Sequence, residues 1–109
     1  MSPVELLAWY VALHNLGVET SDFNSALSLF AVDAVFEFRA PLIGSFEGKE
    51  AIKQAFAHHP PSTAIILSNV EENSYVATAD YADTVDPFTK LGTITLESDG
   101  EKIKRIIIG

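Results

Sequence analysis

Tyr10 and His14, near the N-terminus, are candidates for acid–base chemistry. They lie four positions apart in the apolar residues 4–16, and side chains four apart on a helix share one face. A phenol donates a hydrogen bond, and a neutral imidazole can act as a base or position a water. The spacing therefore predicts a Tyr–His pair on one helix face. The alternative is that His14 is a surface histidine or a satisfied core histidine.

Asp80 is a third candidate for proton transfer. It lies between Thr78 and Ala82 in a strand-like stretch, residues 75–82. If its side chain points into the folded interior, desolvation raises its pKa towards a value that suits a general base. The sequence leaves open which face is inside, because alternation places an apolar set on the other face: Tyr75, Ala77, Ala79 and Tyr81.

His58 and His59 precede two prolines and could suggest a metal site. Adjacent residues on a helix point about 100° apart, and no nearby carboxylate pattern completes a ligand set. The chain also has no cysteine. We therefore predict no metal and no cofactor, and we expect both histidines to interact with the carbonyls at a helix C-terminus.

Length and charge limit the classes of protein that this chain can belong to. With 109 residues the chain fits one domain, residues 1–109. Its net charge of −8 repels a phosphate backbone, so a nucleic-acid partner is not expected. Without cysteine it fits a reducing compartment, and we predict the cytoplasm. The apolar run at residues 4–13 contains Glu5 and is too short to span a bilayer, so no membrane association is predicted and the run is interpreted as part of the mature fold.

Hydrophobic periodicity predicts a chain whose helices come first and whose strands follow. Helical spacing indicates three helices, at residues 4–16, 23–30 and 48–56. Pro3 suits the first turn of the first helix and Gly17 its end, and Ser21 or Asp22 can cap the second. Alternating and apolar runs indicate five strands, at residues 34–39, 62–70, 75–82, 91–97 and 102–108.

The connections between these elements indicate the fold class. Residues 72–74 and 98–100 are short polar turns that predict two antiparallel hairpins, whereas residues 83–89 predict a longer turn and Pro41 and Gly44 a loop. Helices followed by strands favour an α+β fold with helices on one face of a curved antiparallel sheet. Residues 105–108 are apolar on both faces, which predicts a central strand or a second subunit as cover, and hence a homodimer.

Two segments carry a resemblance to a known superfamily. Ala26-Leu27-Ser28-Leu29-Phe30-Ala31-Val32-Asp33-Ala34-Val35-Phe36-Glu37, followed by Gly48-Lys49-Glu50-Ala51-Ile52, resembles the signature of the SnoaL-like branch of the nuclear transport factor 2-like superfamily. The helix order and the strand-rich second half agree over nearly the whole chain. The resemblance implies a cone-shaped α+β fold, in which a curved antiparallel sheet wraps around N-terminal helices and encloses a cavity.

Members of this superfamily include ketosteroid isomerases, polyketide cyclases, scytalone dehydratases, limonene epoxide hydrolases and non-enzymatic binding or assembly modules. The resemblance implies that Tyr10 takes the place of the tyrosine that donates to the steroid oxygen in ketosteroid isomerases. Phe38 stands where that family has its catalytic aspartate, and Gly92 or Thr93 stands near its second acid. Steroid isomerisation by that mechanism is therefore not expected. Neither of the two arginines matches the Asp-Arg-Asp arrangement of the epoxide hydrolases.

The resemblance also implies which face of the first strand points inward. It then predicts a cavity that suits an aromatic or terpenoid-sized apolar ligand, with a lining of Tyr10, His14, Phe36, Phe38 and Phe56. Three functions stay open. One is an enzyme (an isomerase, cyclase, dehydratase or hydrolase) that uses His14 or Asp80 with Tyr10. A second is a binding protein without chemistry. The third is a dimerisation module whose aromatic residues fill the core.

Overall fold

The computed structural model describes residues 1–39 and 43–109, so Pro41 of the expected loop lies outside the described residues. Within these ranges the chain forms three helices and six strands. In chain order they are α1 (Pro3–Thr20), α2 (Asn24–Leu27), β1 (Phe30–Phe38), β2 (Gly44–Glu47), α3 (Lys49–His58), β3 (Ile65–Asn73), β4 (Val76–Asp83), β5 (Asp86–Ser98) and β6 (Ile103–Ile108).

The six strands form one curved, unclosed sheet in the order β2-β1-β6-β5-β4-β3. The predicted α+β class is confirmed, as are the two antiparallel hairpins β3–β4 and β5–β6. The sheet is mixed rather than wholly antiparallel, because β6 runs parallel to β1 where it inserts between β1 and β5. β6 is therefore an interior strand, as its apolar sequence predicted.

The first helix begins with a capping box and is longer than predicted. The Ser2 hydroxyl accepts from the Glu5 amide at 3.2 Å, and the Glu5 carboxylate accepts from the Ser2 amide at 3.2 Å. The predicted stop at Gly17 is wrong, because α1 continues to Thr20 and Ser21 follows it in the left-handed conformation (φ 63°). Gly17 is buried inside the helix instead, where a Cβ atom would clash with the ring of Phe23.

The second predicted helix, at residues 23–30, is only the four-residue helix α2. Asp22 accepts from the Asn24 amide at 3.0 Å, close to the predicted cap. Phe30 has already joined the sheet, where it pairs with Ile103 of β6. The helical spacing therefore identified buried residues correctly, but only residues 24–27 are helical. From Phe30 onwards, pairing with β6 determines the backbone conformation.

Two connections differ from prediction. Gly44, expected in a loop, opens the short strand β2, which pairs antiparallel with β1. The long turn expected at residues 83–89 is a tight one, since Asp83 of β4 already faces Asp86 of β5. Both segments lack a long alternating run, which is the signal that marks a strand in sequence.

Two helices pack on the inner face of the sheet, α1 against β3, β4 and β5, and α3 against β1 and β2, whereas the short helix α2 contacts α1 and α3. The inner face of β4 carries Ala77 and Ala79, which are buried beside Ile94 and Leu96 of β5. Tyr81 is therefore on the inner face of β4, and Asp80 is on the outer face. No helix in residues 1–39 and 43–109 is long and apolar enough to cross a bilayer.

Candidate functional site

A cavity of about 520 Å³ lies between α1, α3 and the inner face of the sheet. This volume falls within the range of about 300–1,000 Å³ that is typical of small-molecule sites, so the aromatic side chains leave open space between the helices and the sheet. The lining contains all five predicted residues and eleven more: Tyr10, His14, Phe36, Phe38, Ile43, Gly44, Phe46, Ile52, Ala55, Phe56, His59, Pro61, Ile65, Tyr81, Ile94 and Ile108.

The predicted aromatic residues meet at the cavity because the strand period of two and the helix period of 3.6 place them on the inward faces of their elements. Phe36 and Phe38 alternate along β1 and both face inward, with ring centroids 5.1 Å apart. Phe56 of α3 meets Phe36 edge to face at 5.9 Å. The three rings form a continuous apolar part of the cavity lining.

Tyr10 supplies a hydroxyl group to this apolar cavity. Its side chain is only 2% exposed, and burial raises its pKa well above the ordinary value of 10. The Tyr10 hydroxyl has no hydrogen-bond partner in the described part of the chain. Every side-chain polar atom that is fully buried there does have a partner. The Tyr10 hydroxyl is therefore not fully buried, and it lies at the cavity surface. The hydroxyl therefore stays protonated at neutral pH and is available to a ligand as a donor.

His14 lies one helical turn from Tyr10, with ring centroids 6.0 Å apart. Burial lowers the pKa of the His14 imidazole below 6.5, and the hydrogen bond to Asn15 opposes this shift only in part. The ring is therefore neutral at pH 7. The predicted Tyr–His pair on one helix face is present, and both side chains line the cavity.

Asn15, which the sequence analysis did not single out, connects this pair to the sheet. Its side-chain Nδ2 donates to the carbonyl oxygen of Ile65 at 2.8 Å, and its Oδ1 accepts from the Ile65 amide at 2.9 Å. The same Oδ1 lies 3.0 Å from Nδ1 of His14. The side chain thus covers the start of the edge strand β3 and contacts the histidine at the same time.

Asp80 lies on the opposite face of the sheet from Tyr10 and His14. Its carboxylate accepts from Asn69 Nδ2 at 2.9 Å and is 3.1 Å from the ammonium group of Lys90. These two partners, Asn69 first, lower the pKa of Asp80. The condition for its predicted role as a base, an inward and desolvated side chain, is therefore not met.

Two further cavity residues carry polar atoms that sequence reasoning did not assign to the site. The His59 side chain lines the cavity, and its backbone amide donates to the Ala55 carbonyl at 2.9 Å at the end of α3. The Tyr81 ring covers Gly92 on the neighbouring strand, where a Cβ atom would lie 3.1 Å from the ring and the hydroxyl. Within the described ranges, no group of three or more potential ligands could hold a metal ion.

One end of the cavity meets solvent. Ile43, the first residue described after the gap, is 88% exposed, and Gly44 and His59 beside the cavity are also exposed. The buried residues Tyr10, Ile52 and Ile94 lie in the lining as well. The cavity therefore extends from a solvent-facing end at β2 and the end of α3 into the core.

Comparisons with known proteins agree with this architecture. No protein-family model and no curated protein sequence matches the chain. Among solved structures, an NTF2-like protein from Anabaena variabilis is similar over 98% of this chain and 87% of its own, at a TM-score of 0.74 and 18% identity. A ketosteroid isomerase-like fold protein from Catenulispora acidiphila, solved in complex with trimethylamine, is similar over 100% of this chain and 86% of its own, at 0.73 and 16%.

A cystatin-fold protein from Novosphingobium aromaticivorans is similar over 100% of this chain and 98% of its own, at a TM-score of 0.69 and 16% identity. At such identities the likeness concerns the fold and says nothing of activity. It extends over 98–100% of this chain. The chain has the cone-shaped, nuclear transport factor 2-like α+β fold that its sequence resemblance predicted.

Proposed function

We propose that this protein binds a small, neutral and largely apolar molecule inside the cone. The observation that carries the proposal is the cavity of about 520 Å³ with mainly aliphatic and aromatic walls, in which the Tyr10 hydroxyl is available as a donor. Burial of the ligand's apolar surface supplies most of the affinity, at roughly 25 cal/mol per Å² before the costs of association. Tyr10 and His14 orient the ligand.

The charge of the lining supports a neutral ligand. The part of the lining that the structure describes includes no Asp, Glu, Lys or Arg side chain. An ionic ligand would lose its hydration without gaining a counter-charge, and that loss is costly in an apolar site. A carboxylate or a phosphate ester is therefore a poor candidate.

A second candidate function is acid–base turnover of the bound molecule. Tyr10 stays protonated and His14 stays neutral, and their rings lie 6.0 Å apart at the same cavity. This protonation pattern suits a hydrogen-bond donor, Tyr10, that stabilises developing negative charge beside a general base, His14. It supports an isomerase, cyclase, dehydratase or hydrolase with His14 as the base, and Asp80 has no part in it.

A thermal-melt screen tests the binding function. Neutral steroids, terpenoids and aromatic polyketide analogues are compared with charged analogues of similar size. A ligand at about 100 times its Kd adds roughly 2.7 kcal/mol to the free energy of unfolding, or a Tm rise of order 10 °C for a domain of this length. We expect the rise with neutral ligands, whereas a rise confined to charged ligands contradicts the proposal.

Two substitutions on α3 make the screen specific to the cavity. Ala55 lines the cavity and Ala57 is exposed on the same helix. Ala55→Phe fills part of the cavity and is expected to abolish the ligand-induced rise, whereas Ala57→Phe is expected to retain it. Equal ligand responses in the two variants would show that binding occurs elsewhere.

Once a ligand is known, product formation by the wild type and by two variants distinguishes an enzyme from a binding protein. Tyr10→Phe removes the donor and His14→Phe removes the base, and each keeps an aromatic ring in place. A binding protein shows lower affinity and no product in any variant, whereas an enzyme loses product formation in His14→Phe. The homodimer and the cytoplasmic location expected from the sequence stay predictions.

A further inference from the structure

We infer that Asn15 holds His14 in the tautomer protonated on Nδ1, so that Nε2 presents a lone pair to the cavity and selects ligands that donate a hydrogen bond. Asn15 thereby acts as a positioning residue, because it contacts the ligand only through His14. The ligand class is that of neutral apolar alcohols and phenols. The inference concerns the same cavity and rests on the binding function proposed above.

The orientation of the Asn15 amide is determined by the backbone of β3. The Ile65 amide can only donate, so the atom 2.9 Å from it must be the Asn15 oxygen. The Ile65 carbonyl can only accept, so the atom 2.8 Å from it must be the Asn15 nitrogen. A flipped amide would set donor against donor and acceptor against acceptor, which excludes the alternative assignment.

The oriented amide in turn determines the proton position on His14. Nδ1 of His14 lies 3.0 Å from the Asn15 oxygen, which is an acceptor without a proton. Nδ1 must therefore carry the hydrogen. A neutral imidazole has one N–H, so Nε2 is left with a free lone pair.

Nε2 is the atom that a ligand can reach. His14 lines the cavity, and Nε2 has no hydrogen-bond partner among residues 1–39 and 43–109. Every fully buried side-chain polar atom in those ranges has a partner, so Nε2 belongs to the accessible surface of the cavity. The α1 wall thus offers one donor, the Tyr10 hydroxyl, and one acceptor, Nε2 of His14.

A hydroxyl group matches this pair, because its oxygen can accept from Tyr10 while its hydrogen is donated to His14. A ketone or ether oxygen can satisfy Tyr10 only and leaves Nε2 desolvated without a donor. An unpaired buried acceptor costs far more than a mismatched surface group. The site therefore discriminates between an alcohol and its methyl ether by hydrogen bonding, although the two have similar shapes.

The tautomer is tested first, on the unmodified protein and without any ligand. Two-dimensional ¹⁵N–¹H NMR of the histidine rings at pH 7.5 distinguishes protonated from unprotonated nitrogens, and His14→Phe identifies the His14 signals. We expect a protonated Nδ1 and an unprotonated Nε2. A ring protonated on Nε2 would overturn the inference, whatever the protein binds.

Ligand choice is tested with 2-naphthol and 2-methoxynaphthalene, which share one ring system. We expect the wild type to bind 2-naphthol about tenfold more tightly, as one buried hydrogen bond allows. In His14→Phe the ratio of the two dissociation constants should fall to about one. Equal affinities in the wild type overturn the inference and leave the binding function intact, whereas no binding of either probe overturns both.

Substitutions of Asn15 separate positioning from simple structural support. Asn15→Asp keeps an acceptor for Nδ1 of His14 but loses the donor to the Ile65 carbonyl, whereas Asn15→Leu removes both the acceptor and the donor. We expect the Nδ1-protonated ring and the preference for 2-naphthol to survive in Asn15→Asp and to be lost in Asn15→Leu. If Asn15→Leu fails to fold, the wild-type spectrum and the His14→Phe ratio still decide the question. A folded Asn15→Leu variant with an unchanged tautomer contradicts the inference.

Discussion

His14 combines burial with a well-oriented polar neighbour, Asn15. Its side chain is 8% exposed, whereas His58 and His59 at the end of α3 are exposed. It packs against Tyr10 and Phe23 and bonds to Asn15. The charged imidazolium is therefore disfavoured in the folded state, and the residue stays neutral at the pH where a surface histidine begins to titrate.

The lowered pKa of His14 predicts a pH dependence of stability. Between 6.5 and the folded-state pKa, the unfolded chain binds more protons at this residue than the folded chain. The free energy of unfolding contributed by His14 is therefore complete above about pH 6.5 and decreases as the pH falls through that window. Tyr10, Tyr81 and His59 are the other titratable side chains of the described cavity lining.

Urea denaturation of the wild type and His14→Phe between pH 5 and pH 8 measures this effect. The difference between the two proteins cancels the titration of carboxylates that both share. We expect the wild type to lose stability relative to the variant as the pH falls below about 6.5. A pH-independent difference would show that His14 has its ordinary pKa.

The cavity residues could be predicted where period and resemblance agreed. Phe36 and Phe38 alternate along one strand, and the resemblance supplied the inward face. Asp80 could not be placed, because Ala77 and Ala79 opposite it are too small to mark an apolar face in sequence. The role of Asn15 could not be predicted, because it depends on a contact with Ile65, fifty residues away. No local sequence pattern indicates such a contact.

The helix α1 carries Tyr10, His14 and Asn15 and therefore most of the polar groups of the site. Its start follows from Pro3 and the capping box of Ser2 and Glu5, so the beginning of the helix was predictable. Its end was not, because a glycine near the end of a helical pattern normally marks a stop. Gly17 is retained within the helix since the ring of Phe23 occupies the space of a side chain.

Gly17→Ala tests this packing. Alanine in a helix interior is usually more favourable than glycine by about 1 kcal/mol. Here we expect the opposite sign, a loss of about 1–3 kcal/mol, because the new methyl group overpacks the Phe23 ring. Chemical denaturation measures the change.

A smaller side chain opposite Gly17 provides the control. In the Phe23→Leu background, Gly17→Ala should cost less than in the wild type or become neutral, because the two changes share one space. If Gly17→Ala is stabilising in the wild-type background, Gly17 has no packing role and the account of this helix is wrong.

In the sheet too, pairings between neighbouring strands could be predicted from sequence, whereas pairings between distant strands could not. The hairpins β3–β4 and β5–β6 follow from short polar turns, which are local features. The parallel pairing of β1 with β6 joins the first strand to the last, and the register Phe36 with Ile106 cannot be deduced from either strand alone. The short strand β2 is fixed only by its partner β1.

At the scale of the whole molecule, the central strand β6 connects the cavity to the outer surface. Ile106 is fully buried and Ile108 lines the cavity, whereas Ile107 pairs with Thr95 on the outer face. An apolar residue on the outer face of an interior strand is a feature of sheets that are covered on both sides. The homodimer expected from the sequence would cover it.

Sedimentation velocity tests this expectation. We predict a species of about twice the chain mass of 11.8 kDa, and a shift towards monomer in Ile107→Lys, because a charge would be buried at the interface. Val85→Lys, at an 89% exposed position in the β4–β5 turn, should leave the mass unchanged. A monomeric wild type at micromolar concentration would contradict the prediction.

Methyl NMR of isoleucine-labelled protein during titration with 2-naphthol tests whether the cavity holds a ligand. The methyl groups of Ile52, Ile65 and Ile94 line the cavity, whereas Ile66 and Ile107 lie on the outer face. We predict saturable shifts of the cavity methyl signals, little change on the outer face, and loss of these shifts in Ala55→Phe. Shifts confined to Ile66 and Ile107, or shifts that persist in Ala55→Phe, would show that the cone does not hold the ligand.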